Sequence, residues 1–158
     1  MFTGIVEAVG KIESVTPQGK GKDAGVRLQI NAGALPMTDV AIGDSIAING
    51  ACMTVVEKTD HGFKVDVSRE SLDKTVGMDG ENEVNLEKAM ALGDTLGGHL
   101  VSGHVDGVGI VRSFLPVAES WELVIEAPAN LARFLAYKGS VAVNGVSLTV
   151  NKVSDVEG

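Results

Sequence analysis

Two pairs of side chains draw attention first. Cys52 and Thr54 stand two residues apart, as do Ser147 and Thr149, each pair within a β-branched run. On a strand, that spacing puts both members on one face. A hydroxyl or thiol beside a second hydroxyl can relay a proton, or add to an electron-poor carbon. Cys52 is the only thiol, and on composition alone a free cysteine is a small buried hydrophobe. A serine at the matching place of a second run favours a polar pocket instead.

Three histidines could add a titrating group. His99 and His104 lie in Gly97-Gly-His-Leu-Val-Ser-Gly-His-Val-Asp106. Two histidines five apart with no nearby Glu or Cys ligand make no zinc pattern, and no metal is expected. The cheapest account of His99 is a structural histidine bonded to backbone. His104 has Gly103 and Gly107 close by, so the chain there can approach a ligand closely. His61 fits a solvated turn. Lys138 is most simply a cation at a helix C-terminus, and Asp66, Ser68 and Glu70 are a solvated helix start. The spacings of a dinucleotide fingerprint, a P-loop, a nucleophile elbow and a zinc protease helix are all absent.

The elements that must position these groups are mostly strands. Val26, Leu28 and Ile30 alternate with polar residues, as do Phe63, Val65 and Val67, and Trp121, Leu123 and Ile125. Asn49-Gly50 and His61-Gly62 suit turns, because Asn and Gly tolerate positive φ. The pattern predicts a helix over Ala127 to Lys138, opened by Pro128 and stopped by Gly139. A short helix is expected from about Ser68, and another over Glu87 to Leu92.

An internal repeat organises the chain. Ser45-Ile-Ala-Ile-Asn-Gly-Ala-Cys-Met-Thr-Val55 matches Ser140-Val-Ala-Val-Asn-Gly-Val-Ser-Leu-Thr-Val150, and Gly4-Ile-Val-Glu-Ala-Val-Gly10 matches Gly103-His-Val-Asp-Gly-Val-Gly109. Cys52 aligns with Ser147 and Thr54 with Thr149. The expectation is one small β-domain written twice, over 1–97 and 98–158. Counterparts to the strands after Val55 are missing from the second copy. Either the chain is truncated within that barrel or the barrel is completed some other way; a half barrel alone would have unpaired edges, an open core and poor stability.

Composition narrows the class. The 158 residues are 44% hydrophobic, enough for a core, which excludes low-complexity disorder. Thirteen Lys and Arg against 21 Asp and Glu give a net charge of -8. That balance would repel a phosphate backbone and disfavours anionic membranes. Only 4% of residues are aromatic, too few stacking platforms for an oligonucleotide-binding barrel. A lone cysteine points to a reducing cytosol, and Glu7 interrupts the apolar start that a secretory signal would need. The expected compartment is cytoplasmic, with no membrane and no nucleic-acid partner.

Four stretches in order resemble riboflavin synthase (alpha chain) from Met1 to Val153: Met-Phe-Thr-Gly-Ile-Val-Glu, Asn-Gly-Ala-Cys-Met-Thr-Val, Gly-Gly-His-Leu-Val-Ser-Gly-His-Val-Asp-Gly and Lys-Gly-Ser-Val-Ala-Val-Asn-Gly-Val-Ser-Leu-Thr-Val-Asn. The resemblance implies an all-β fold of tandem six-stranded Greek-key barrels, the second incomplete here. It implies a homotrimer whose active site joins barrels of neighbouring subunits, with lumazine synthase as a candidate associate. The implied reaction, the last step of riboflavin biosynthesis, is the dismutation of two 6,7-dimethyl-8-ribityllumazine molecules to riboflavin and 5-amino-6-(D-ribitylamino)uracil. It uses no cofactor.

Carried over by motif, one pocket takes Gly4, Ile5 and Val6 with Cys52, Met53 and Thr54 and with Asp66, Val67, Ser68, Arg69, Glu70 and Ser71. The other takes Gly103, His104 and Val105 with Lys138 and with Ser147, Leu148 and Thr149. Ser45 and Phe2 are further contributors. The resemblance assigns His104, Ser147 and Thr149 to a methyl-proton relay, Cys52 and Thr54 to the acceptor, and Lys138 to the catalytic set. The rival expectation is a non-catalytic lumazine- or flavin-binding protein of the same fold.

Overall fold

The computed structural model describes residues 1–154. Its first half is a closed barrel of β1 (Ala8–Pro17), β2 (Val26–Asn31), β3 (Ser45–Ile48), β4 (Ala51–Thr59), β5 (Gly62–Val67) and β6 (Glu83–Lys88). Around the barrel the order is β1-β2-β5-β4-β3-β6, all neighbours antiparallel. Alternation drives the closure. Leu28 and Ile30, Phe63, Val65 and Val67, and Met53 and Val55 turn inward and are buried, while the residues between them face out. Bulges between Ile12 and Ser14 and between Val55 and Glu57 bend the long strands around the barrel.

Between β5 and β6 runs the expected short helix, α1 (Arg69–Lys74). The Ser68 hydroxyl caps it, accepting from the Ser71 N–H at 3.1 Å. The helix expected over Glu87 to Leu92 does not form. Glu87 and Lys88 end β6, the strand that pairs with both β1 and β3, and closing the barrel outweighs helix propensity there. The β4–β5 turn is Asp60–His61, one residue earlier than expected, with Gly62 opening β5.

The second copy repeats the beginning of this plan. β7 (Ile110–Val117) pairs with β8 (Ser120–Glu126), and β9 (Ser140–Val143) with β10 (Val146–Thr149). These match β1-β2 and β3-β4 by the sequence repeat. Among the described residues nothing corresponds to β5 and β6, which join those hairpins in the first copy. The hairpins therefore stay separate two-stranded sheets, and the second barrel is incomplete. Its apolar side chains are exposed: Phe114 stacks at 4.8 Å on a Trp121 that is 61% exposed.

The helix expected over Ala127 to Lys138 is a single 3₁₀ stretch, Ala129–Phe134. Its i→i+3 bonds run from Leu131 N to Pro128 O and from Leu135 N to Ala132 O. Phe134 is 69% exposed, so no opposing apolar surface rewards a longer helix. Lys138 accordingly completes no helix dipole. It sits at φ 63° in the turn before β9.

The two Asn-Gly turns are built alike. Asn49 and Gly50 have φ of 48° and 84°, Asn144 and Gly145 of 47° and 83°, as a two-residue primed turn requires. They also touch. A Cβ on Gly50 would lie 2.7 Å from the Gly145 nitrogen, and one on Gly145 3.0 Å from the Gly50 nitrogen. Gly43 has φ 99° with nothing within 4 Å, which separates backbone strain from contact. Gly43→Ala should cost about 1–2 kcal/mol, read as a lower urea midpoint. Gly50→Ala should cost more than that, by the added price of parting the two turns. Equal losses would show that the turns do not pack in solution.

Candidate functional site

The strand period decides which side chains are available. Along β4, Ala51, Met53 and Val55 are buried in the barrel, while Cys52 and Thr54 lie on its outer face. Met53 therefore turns its side chain into the core, and toward the outer face it offers backbone alone. Val67 is likewise buried at the end of β5. Ser45 stands directly opposite Thr54 across the β3–β4 ladder, so a half-buried hydroxyl flanks that pair. In the second copy Ser140 stands opposite Thr149 in the same way, with Ser147 two residues before it on β10.

The loops that cover these pairs are exchanged. Cys52 N donates to Gly103 O at 2.8 Å, and Ser147 N donates to Gly4 O at 2.8 Å. Each copy thus lays its leading glycyl segment on the other copy's strand. The sequence-based grouping put Gly4, Ile5 and Val6 with Cys52, and Gly103, His104 and Val105 with Ser147. The structure crosses them. Phe2 and Val101, related by the repeat, form an antiparallel bridge between the segments, with N···O distances of 2.8 and 3.0 Å. Phe2 is wholly buried and serves as the floor of this crossing.

Glycine is required at both contacts. Gly4 has φ 74°, and a Cβ there would fall 2.3 Å from Ser147 Cβ. Gly103 has φ 83°, and its Cβ would fall 2.7 Å from Cys52 Cβ and 2.7 Å from Phe2 Cε2. Any side chain would push the segment off the strand.

The first half-site comprises Cys52 and Thr54, the Gly103–Val105 segment and the β5–α1 junction. Val105 and Leu72 pack on the barrel core, and Lys74 Nζ lies 3.4 Å from Asp106 O, tying the segment to α1. Several expected contact groups here are already engaged. Asp66 forms a two-pronged pair with Arg27 at 2.7 and 2.8 Å. That hydrogen bonding from the guanidinium holds the Asp66 carboxyl below its usual range. Arg69 binds Asp73 on its own helix, and the Ser68 and Ser71 hydroxyls face each other at 3.0 Å. Glu70 is exposed.

The second half-site comprises Ser147, Leu148 and Thr149 with Gly4, Ile5 and Val6, and it holds a group that sequence reasoning missed. His99 Nδ1 lies 2.5 Å from Ser147 Oγ, while His99 N donates to Thr3 O. The expected bond from the His99 ring to backbone is not the one that forms: the backbone N–H meets Thr3 O, and the ring meets the Ser147 hydroxyl. His104, expected to serve Ser147, sits in the exposed segment beside Cys52, its N–H bonded to Ser102 Oγ at 3.2 Å. The available signal was the repeat itself. Pairing Phe2 with Val101 brings residue 99 alongside the Thr3–Gly4 stretch that covers Ser147. Lys138 is drawn elsewhere, its Nζ 2.7 Å from Asn151 Oδ1.

A groove of about 880 Å³ runs beside the crossing, lined by Thr3, Ile5, Ser45, Glu87 and the chain after β6. Among the described residues no helix is long and apolar enough to cross a membrane.

Comparison with known proteins agrees with this duplicated arrangement. The model of the lumazine binding domain matches residues 3–89 and again 102–157. Riboflavin synthase of Photobacterium phosphoreum is 45% identical, the alignment covering 99% of this chain and 71% of that one. Riboflavin synthase of Mycobacterium tuberculosis (strain ATCC 25618 / H37Rv) is 46% identical, covering 96% and 74%. Among solved structures, LumP complexed with 6,7-dimethyl-8-(1'-D-ribityl) lumazine superposes with a TM-score of 0.80 at 25% identity, covering 98% of this chain and 82% of that one.

The crossing and the ion pair each make a prediction. Gly103→Ala should speed modification of Cys52 by a thiol reagent several-fold, and Gly4→Ala should leave that rate unchanged. The opposite pattern would restore the uncrossed grouping. Because the Asp66 pKa is lowered in the folded state, its contribution is complete above the ordinary carboxylate range and fades as pH falls through the lowered value. Asp66→Asn should flatten that acid limb slightly, the pair being exposed. An unchanged acid limb in urea titrations would remove the pair from the stability account.

Proposed function

This chain belongs to the riboflavin synthase family of lumazine-binding proteins, and on that footing we propose how its residues carry the family reaction. Two molecules of 6,7-dimethyl-8-ribityllumazine are the substrate. One gives up a four-carbon unit and leaves as 5-amino-6-(D-ribitylamino)uracil, and the other accepts the unit and leaves as riboflavin. The atoms balance between two identical reactants, so no oxidant, reductant or cofactor is needed. In class the enzyme is a transferase.

The observation that supports this reading is the duplicated, exchanged half-site. A dismutation consumes two copies of one molecule, and two equivalent strands each present a polar pair under a glycyl segment. The half-sites are equivalent in frame but not in chemistry. The Ser147 half-site carries an imidazole bonded to its serine, and the Cys52 half-site carries a thiol with a hydroxyl neighbour and the exposed His104 of its covering segment. The C7 methyl of the lumazine is acidic because the ring delocalises the resulting anion. Ser147 Oγ with His99 Nδ1 takes that methyl proton, and Thr149 supports the relay. Cys52 and Thr54 polarise or add to the acceptor ring, with Ser45 beside them. The free N–H and C=O groups of the two glycyl segments and of the β5 end hold the ring edges. Face-to-face placement of two rings supplies most of the rate enhancement, on the order of 7–11 kcal/mol.

In this reading the acting unit is a homotrimer in the cytoplasm. A barrel of one subunit meets a barrel of its neighbour, which stacks the two ligands, and His104 reaches its substrate across that junction. Association with lumazine synthase would hand over the substrate directly.

The test is turnover of 6,7-dimethyl-8-ribityllumazine, followed by loss of its fluorescence and appearance of riboflavin. Ser147→Ala and His99→Gln should each lower kcat by about 100-fold or more, the usual scale of general acid–base catalysis. His104→Gln should cost less in kcat than either. Unchanged kcat in Ser147→Ala would remove the relay. Tight lumazine binding with no riboflavin formed would favour a binding protein of this fold, as LumP bound to 6,7-dimethyl-8-(1'-D-ribityl) lumazine illustrates.

A further inference from the structure

Glu87 is the one buried charged side chain among the described residues, 5% exposed. It lies at the end of β6, where the barrel ladder needs only its backbone, opposite Ala47. By the strand period its side chain faces outward, away from Val84 and Leu86 in the core. What covers it is the leading segment of the chain. One carboxylate oxygen accepts from Thr3 N at 2.5 Å and Thr3 Oγ1 at 2.7 Å, and the other accepts from Gly4 N at 3.1 Å. A carboxylate removed from water needs such partners, and here all three come from two consecutive residues of another element.

Those two residues are the ones the second half-site is hung from. Gly4 O receives Ser147 N, and Thr3 O receives His99 N. The N–H groups of Thr3 and Gly4 are thus fixed to the first barrel, while their carbonyls fix both backbones that bring His99 Nδ1 to Ser147 Oγ. The equivalent crossing has no such anchor among the described residues. Gly103 O meets Cys52 N in the same way, and Ser102 Oγ accepts from the His104 N–H just as Thr3 Oγ1 accepts from Ile5 N, but among the described residues no carboxylate hydrogen-bonds to the Ser102–Gly103 stretch.

We propose that Glu87 is a positioning residue for the Ser147–His99 pair, acting through Thr3 and Gly4. Its carboxylate, carried on the first barrel, sets the geometry of the proton-relay half-site built on the second copy. The name of that half-site rests on the function proposed above. The geometric claim does not, and its test contains no substrate.

The experiment is amide hydrogen exchange with imidazole NMR on the whole chain, comparing the unaltered protein with Glu87→Gln. A glutamine keeps one acceptor oxygen but turns an NH₂ toward a backbone donor. Exchange at Gly4, His99 and Ser147 should rise at least tenfold. Cys52, whose amide makes the repeat-related contact, and barrel amides such as Val65 should keep their rates. The His99 ring signals should move toward those of a free imidazole while His61 stays put. Thr3→Val, which removes one donor to Glu87 together with the acceptor of Ile5 N and leaves β6 intact, should give a smaller change of the same pattern at Gly4, His99 and Ser147. Adding it to Glu87→Gln should change little more. Where Glu87→Gln does not fold, Thr3→Val alone carries the test. Equal acceleration at Cys52 and Ser147 would mean that Glu87 only stabilises the barrel, and unchanged His99 signals in a folded variant would equally overturn the proposal.

Discussion

Two backbone hydrogen bonds, Cys52 N to Gly103 O and Ser147 N to Gly4 O, hold the candidate site together. Each joins a strand of one copy to the opening segment of the other. Without them the outer faces of β4 and β10 would be ordinary solvated strand surface. With them, each polar pair gains a cover whose glycine lets the chain come within van der Waals range. The Phe2–Val101 bridge and the touching Asn-Gly turns repeat the same near-twofold relation. The crossing is a line of contact with two glycyl ends, where the chain passes too close to the facing strand for a side chain of its own.

The two copies share this frame and differ in what supports it. The first copy closes its barrel, so β6 exists and can present Glu87 to Thr3 and Gly4. The second has hairpins where the first has a cylinder. The chemistry is unequal too: the Ser147 hydroxyl is bonded to the His99 ring, whereas His104, in the segment over Cys52, bonds the Ser102 hydroxyl through its backbone N–H. Two copies of one frame thus come to hold different side-chain contacts.

Much of this was legible in the sequence because it rests on local rules. Alternation marked β2, β5 and β8, Asn49-Gly50 marked a turn with positive φ that the repeat reproduces at Asn144-Gly145, and Ser68 marked the start of α1. The repeat showed that Cys52 and Ser147 are equivalent. What escaped depends on contacts between distant residues. The period of Leu131, Phe134 and Leu135 was correct for a helix, but a helix also needs a surface to pack on, and Phe134 finds none. Glu87 and Lys88 have good helix propensity, yet the barrel needed a sixth strand. The pairing of Gly4 with Ser147, and so the meeting of His99 with Ser147, follows from an exchange that a repeat permits but does not announce. Motif carry-over alone kept each segment with its own copy.

The placement of the aromatic residues has an optical consequence. The chain has one tryptophan and one tyrosine, Trp121 and Tyr137, and both are exposed in the second copy. The closed barrel, which holds the apolar interior, contains neither. Its large aromatics are Phe2 and Phe63, which scarcely absorb or emit in the usual windows. Tryptophan emission is therefore a reporter for the open hairpin alone, from a ring already largely in water before any denaturant is added. A melting curve taken by tryptophan emission would be almost flat while circular dichroism recorded the collapse of the cylinder. Two instruments aimed at one sample would describe different parts of the molecule.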